Sequence, residues 1–191
     1  MKLLIVVLSL IIFISPGYTQ NNRKPQKAIT TATATSFPAS FIGNWKGTLL
    51  WYRAGAKEPK KNTMRLSIQP SKDSAGQYTW HLSYGDSAKD ERSYLLKPVD
   101  TAKGHWVIDE LNGILLDLYF SGGKLWSVFT VETVTIFNNY WLENGNLVTE
   151  FTSWPIKALQ TTGKGTEDAP FVNSYDIKTY QKAVLKSSDK F

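Results

Sequence analysis

The chain has no cysteine among its 191 residues. That excludes disulfides and lipid attachment through a lipobox cysteine, so stability has to come from a packed core. Histidine is scarce as well. His81 and His105 are far apart in sequence and have no flanking carboxylate pair, which leaves no metal-ligand spacing. Serine is plentiful, but there is no Gly-x-Ser-x-Gly elbow to present a nucleophile. Long runs of one charge are missing too. Lys+Arg outnumber Asp+Glu by 22 to 16, for a formal charge of +6, yet the positives are scattered over positions such as Lys57, Lys60, Lys61, Lys178, Lys182 and Lys186. A nucleic-acid surface needs a concentrated basic patch interleaved with stacking groups. The pattern here fits a solvated surface with some attraction for anions.

The one long apolar run is N-terminal. Met1-Lys2 precedes Leu3 to Ile14, and Ser15-Pro16-Gly17 ends the run, with small residues before Gln20. The run is shorter than the ~20 apolar residues that span a bilayer. We therefore expect a cleaved leader over 1–19 and an exported protein, secreted or periplasmic. Residues 20–36, rich in alternating Thr-Ala, carry no apolar period and read as a flexible arm. A single domain is expected over 37–187.

From Phe37 onward β signals dominate. Aromatic and β-branched residues are dense, and Gly, Asn, Asp and Pro punctuate them at short intervals. The pattern predicts strands near 44–52, 62–70, 77–85, 91–99, 104–109, 112–120, 124–131, 133–142, 146–153 and 171–184. Asp73-Ser74-Ala75-Gly76, Ser121-Gly122-Gly123 and Glu143-Asn144-Gly145-Asn146 read as tight hairpin connections. Alternation assigns faces: Met64, Leu66 and Ile68 share one, as do Tyr78, Trp80, Leu82 and Tyr84, and again Ile114, Leu116, Leu118 and Phe120. A meander of about ten antiparallel strands must close or leave two exposed edges, so the expected fold is all-β, an up-and-down barrel. A sandwich would need longer crossovers than the sequence offers, since only 158–170 is long and it reads as a surface loop.

The stretch FIGNWKGTLLWY opens the first strand. Gly43, Trp45, Gly47, Leu49 and Trp51 lie on one face. Trp45 is placed to plug a closed end, and the two glycines let the strand bend and the backbones approach. Gly43-Asn44-Trp45 with Gly47 resembles the Gly-x-Trp signature on the first strand of the calycin superfamily, which includes lipocalins, fatty-acid-binding proteins and nitrobindin-like domains. The resemblance implies a barrel with an interior ligand site. The second lipocalin motif, Thr-Asp-Tyr, and a helix after the barrel are missing, and Arg53 to Lys61 is too short for the helical lid of fatty-acid-binding proteins. The strand count is similar to that of nitrobindin-type barrels. Those hold haem through histidine, whereas His81 and His105 fall on polar strand faces, so the expectation carries no haem and no other cofactor.

Candidate ligand-binding residues come from the interior faces. The chain has 7 Trp, 9 Tyr and 9 Phe, more aromatic volume than a closed end requires, and a ten-strand barrel is wide enough to keep a pocket. Trp80, Trp106, Phe129, Tyr140 and Phe151 are set out as walls. Tyr84, Ser127, Asn138 and Thr149 stand on otherwise apolar faces as its polar contacts, and Arg92 is a titratable candidate. Lys178 and Tyr180, spaced i, i+2, resemble the Arg-x-Tyr pair with which fatty-acid-binding proteins hold a carboxylate. Either this pair faces inward, or Tyr175, Ile177 and Thr179 do. The second is favoured, because lysine is seldom buried without a partner. Asp109 and Glu110 are adjacent at a turn, point to opposite faces and read as water-exposed.

The favoured functional reading is a non-enzymatic binding barrel for a small apolar or amphipathic molecule, monomeric, without a membrane span once the leader is removed. Two rivals stand beside it. One is a barrel enzyme of isomerase or lyase type, for which only Arg92, Glu132 and Lys178 are candidates. The other is an interaction scaffold using the arm or the 158–170 loop.

Overall fold

A computed structural model describes residues 36–85, 90–189 and 191. The expected leader over 1–19 and the arm over 20–36, Ser36 apart, lie outside these residues. The described residues form twelve strands: β1 Gly43–Arg53, β2 Lys60–Pro70, β3 Tyr78–Tyr84, β4 Glu91–Asp100, β5 His105–Asp109, β6 Leu115–Ser121, β7 Lys124–Val131, β8 Val134–Glu143, β9 Asn146–Pro155, β10 Gln160–Thr162, β11 Val172–Ser174 and β12 Thr179–Ser187. Ten of them form one closed antiparallel barrel in the order β1-β12-β9-β8-β7-β6-β5-β4-β3-β2. The other two, β10 and β11, pair with each other outside it.

The expected count of about ten is the count of the barrel, but the last predicted strand is corrected. Residues 171–184 are not one strand. Val172–Ser174 belongs to the small ribbon, and the tenth barrel strand is Thr179–Ser187. The loop expected over 158–170 carries the ribbon's other strand. Ile114, expected on an inward face, precedes β6 and is exposed. Among the described residues, helix is limited to 3-10 turns, including Ala39–Phe41 and Thr101–Lys103, and no helix is long and apolar enough to cross a membrane.

Alternation makes the barrel. Trp80 pairs with Ile68 on one side and Tyr94 on the other, and Leu82 with Leu66 and Arg92. Ser127 faces Asn138, which in turn faces Phe151. Each of these rungs points inward, and the residues between them point outward. The hairpin between β8 and β9 turns on Asn144 and Gly145, at φ 51° and 76°, the paired positive φ that suits a two-residue loop to the strand twist.

The two ends of the barrel differ. At one end β1 starts, and the turn Ala39–Phe41 folds under it. Trp45 Nε1 donates to the Phe41 carbonyl oxygen at 2.9 Å, which anchors the turn to the strand. Phe37 packs edge-on to Phe41 at 5.1 Å and to Trp106 at 5.2 Å, and stacks on Phe120 at 5.1 Å. These rings close that end, and Phe41, Met64, Leu66, Ile68, Leu96, Leu125, Leu147 and Leu185 are fully buried above and around them. At the opposite end β1, β3, β5, β7 and β9 finish and β2, β4, β6, β8 and β12 begin, and among the described residues no such ring cluster closes it.

Candidate functional site

The open end holds a cavity of about 550 Å³ whose walls include Leu49, Trp51, Asn62, Arg92, Ile136 and Gln181. A deeper space of about 100 Å³ adjoins it. Tyr84, Arg92, Phe129, Asn138 and Phe151 line both. Trp80, Tyr140 and Leu118 form part of the deeper wall. Trp80 meets Tyr140 at 5.1 Å with the rings at 86°, and Tyr140 meets Phe151 at 5.9 Å and 88°. Such edge-to-face contacts fix ring orientation and leave flat apolar surfaces facing the space.

The walls mix apolar side chains with polar ones, and most of the polar groups are neutral. Burial pushes the Tyr84 phenol up to about 12 despite the nearby Arg92 charge. Burial also holds Tyr140 well above the ordinary tyrosine range, and burial with the Glu110 charge raises Tyr94. All three therefore stay protonated at ordinary pH and act as hydroxyl groups, not as bases. Arg92 is the cation of the site. Its guanidinium lies 5.3 Å over the Tyr84 ring, and its Nε donates to Asp90 Oδ1 at 3.0 Å. Partial burial is the largest single influence and works against the charge, but Asp90, with Tyr84 and Tyr94, outweighs it and keeps the pKa above the ordinary arginine value.

The positions named from sequence separate cleanly. Trp80, Tyr84, Arg92, Ser127, Phe129, Asn138 and Tyr140 are brought together around the two spaces, with Phe151. Trp106 is not among them. It faces inward but at the closed end, against Phe37 and Tyr78. Thr149 is fully buried in the wall. Lys178 and Tyr180 are outside, because Thr179 and Gln181 take the inward positions opposite Ser153 and Phe151. Lys178 pairs with Asp176, and Tyr180 donates to Glu150 Oε1 at 2.7 Å and stacks on Tyr52. Of the alternative inward set, Thr179 reaches the mouth, whereas Tyr175 and Ile177 are exposed. Arg92, Glu132 and Lys178 are not brought together, since Glu132 sits in the turn between β7 and β8. Asp109 and Glu110 are not simply water-exposed turn residues. Asp109 accepts from Lys97 Nζ at 2.5 Å and from the Leu111 amide at 2.8 Å, which hold its carboxyl below the usual range. Glu110 lines the deeper space.

Sequence reasoning missed Glu110, Trp51, Asn62 and Gln181 as cavity walls. The signal was present. Each continues an inward alternation by one step, from Ile108, Leu49, Met64 and Ala183 respectively, but at the open end that step is polar or amphipathic.

His81 and His105 point outward, His81 near Glu91 and His105 against Asp117 at 2.7 Å. Among the described residues no group of three or more His, Asp or Glu could hold a metal ion.

The outward pair on β9 and β12 carries a pH prediction. Burial alone would raise the Glu150 carboxyl, but Tyr180 and Lys182 hydrogen-bond it and hold it below its ordinary 4.5. The same bond, behind burial, raises Tyr180 to about 12. A carboxyl lowered on folding stabilises the folded state above its unfolded pKa, and that stability is lost as pH falls through the lower folded value. The urea midpoint of the wild type is expected to drop further between about pH 6 and pH 3 than that of Glu150→Gln. Parallel pH profiles for the two would show that the cluster adds nothing.

No protein-family model matches the sequence, and no curated protein is similar to it in sequence. Among solved structures, the chain is similar to the crystal structure of a protein of unknown function from the DUF3598 family of Nostoc punctiforme, with a TM-score of 0.54 and 10% sequence identity. The similarity covers 77% of this chain and 47% of that one, so the chain spans about half the length of the protein it matches, and what the two share is the barrel fold.

Proposed function

We propose that this protein is an exported, calycin-like barrel that binds one small apolar or amphipathic molecule in its open-end cavity and releases it unchanged. The observation that carries this reading is the cavity itself. Its roughly 550 Å³ falls within the about 300–1,000 Å³ typical of small-molecule sites. Aromatic walls with a small number of fixed polar groups are the usual composition of such sites. The division of labour along the barrel supports it as well: the Phe37, Phe41 and Trp106 rings fill one end, and among the described residues no comparable ring cluster fills the other. Export rests on the leader-like N-terminal segment. Asp90 is engaged by Arg92, and the buried phenols are held neutral.

Native mass spectrometry of protein purified without detergent from an exporting host tests the reading. The expected result is a discrete excess mass that survives gentle ionisation and disappears on denaturation. A bare polypeptide mass that stays bare after incubation with a broad extract of small apolar molecules would overturn it.

A further inference from the structure

Cations that are scattered in sequence are gathered by the strand register onto one outer face. Lys46 on β1 stands directly opposite Lys186 on β12, and its partner on the other side is Arg65 on β2. Four residues further along β1, Leu50 stands between Lys182 and Lys61. All five cations point outward, since Leu49, Met64 and Leu185, of the opposite parity on the same strands, are buried. The three strands contain no Asp or Glu. Glu150 on the neighbouring β9 reaches Lys182 at 3.1 Å, and Arg65 donates to the Gly85 carbonyl oxygen at 2.7 Å. Among the described residues Lys46, Lys61 and Lys186 take part in no ion pair. Like charges directly opposite one another destabilise a sheet, so the Lys46–Lys186 pair works against the seam that closes the barrel.

Between the two rungs lies a groove of about 460 Å³. Lys46 and Lys186 stand at one end and Leu50 with Lys182 at the other, while Thr48 and its register partner Val184 form the floor. The ends are four residues apart, about 13 Å along the strand. This layout discriminates among anions. The floor carries no charge, so a polymer with a charge on every unit would have to desolvate some of those charges against Leu50 and Val184. A flat bilayer rests on the crest of a convex wall and does not enter a groove along it. An ammonium group reads charge without demanding a planar partner. A chain with acidic groups on alternate units meets all three conditions: one charge falls on the lysine pair, and an uncharged sugar ring lies over Thr48 and Val184.

We propose that the groove over the β1–β12 seam holds an acidic polysaccharide whose carboxylates are separated by uncharged sugars, with one carboxylate between Lys46 and Lys186. The groove is on the outer wall, so this site is independent of the cavity and of whatever binds there.

Isothermal titration calorimetry with a hyaluronan oligosaccharide, which carries a carboxylate on every other sugar, tests it at low salt. Hyaluronan is expected to bind, and to weaken as salt is added, whereas neutral dextran of similar length is expected not to bind. Lys186→Glu should weaken hyaluronan about tenfold, because it removes one attraction and adds a repulsion. Lys72→Glu makes the same change of net charge at an exposed site in the β2–β3 turn and should leave the affinity within about twofold. Lys186→Glu puts opposite charges across the seam, so its Tm should not fall below that of the wild type, which separates lost binding from lost fold. Lys46→Gln, which only removes a charge, should weaken hyaluronan about threefold and reads the same contact if the first variant folds poorly. Equal losses in Lys186→Glu and Lys72→Glu would reduce the effect to net charge and overturn the proposal. Tighter binding of polyphosphate, or of phosphatidylglycerol vesicles, would overturn it in favour of a phosphate polymer or a membrane surface. Dextran bound as well as hyaluronan, or no binding of hyaluronan by the wild type, would also overturn it.

Discussion

Phe41→Ala is expected to lower the unfolding free energy by about 3–5 kcal/mol, the range for emptying a buried aromatic site. Phe41 is fully buried and lies under the barrel against Phe37 at 5.1 Å and Phe120 at 6.1 Å. Its backbone carbonyl takes the Trp45 indole hydrogen bond, and alanine keeps that carbonyl, so the substitution removes the ring and spares the anchor. With a urea slope of about 2 kcal/mol per molar, the midpoint should fall by about 2 M. That is a large share of a stability of about 5–15 kcal/mol for a domain of this kind. Urea titration followed by tryptophan fluorescence measures it. A shift below about 0.5 M would mean that Phe37 and Trp106 collapse into the space and that the closed end is not held by this ring. The mouth cavity lies at the far end of the barrel, so any excess mass that native mass spectrometry finds on the wild type should be retained by the variant.

How much of this was legible in sequence depends on which direction along the barrel is asked about. Around the barrel, alternation works well. Tyr78, Trp80, Leu82 and Tyr84 declare a face without any structure, and so do Met64, Leu66 and Ile68. Parity alone therefore puts Ser127, Phe129, Asn138 and Tyr140 on the inner wall. Along the barrel axis, alternation is silent. Trp106 has the right parity but the wrong depth, because His105 begins β5 at the closed end, and only pairing with Leu118 and Pro98 shows this. The end of the chain failed for another reason. Val172–Ser174 has only three residues and pairs with a polar triplet, Gln160–Thr162, so no period separates it from the strand that follows. Glu110 reads as solvent-facing because it stands beside Asp109 at a turn, although its place two residues after Ile108 carries it to the inner wall. At the open end of a barrel, polarity marks nearness to the mouth as much as it marks the outer face.

The two ends also make different demands on sequence. The closed end needs volume, and its residues are read from size. The open end keeps a cavity, beside which aromatic rings brace one another at right angles, and the Arg92–Asp90 pair stands at the mouth instead of in the core. A buried pair would bear the full desolvation cost of two charges, whereas one at the rim keeps part of its hydration.

Closure between first and last strand depends on one residue, and Gly47→Val is expected to be among the most damaging changes in the chain. Gly47 lies on β1 opposite Leu185 of β12. A Cβ built there would stand 2.2 Å from the Val184 carbonyl oxygen and 3.1 Å from Leu185 Cδ2. The nearer obstacle is backbone, so no rotamer change relieves it, and the two strands must separate along the seam that shuts the barrel. Gly47 has no left-handed φ, which isolates the cause. In a strand interior alanine ordinarily gains about 0.5–1 kcal/mol over glycine, so a loss on substitution comes from contact alone. Overpacking costs about 1–3 kcal/mol, and Gly47→Ala is expected at the upper part of that range, a fall of roughly 5–10 °C in Tm for a chain of this length. Valine adds two further methyl groups on the same carbon and should take most of the remaining stability. Hydrogen exchange should show the loss first in the amides of Gly43–Arg53 and Thr179–Ser187. An alanine variant that melts within about 1 °C of wild type would mean that the seam yields without cost, and that the glycine in this first-strand motif serves some purpose other than letting β12 approach.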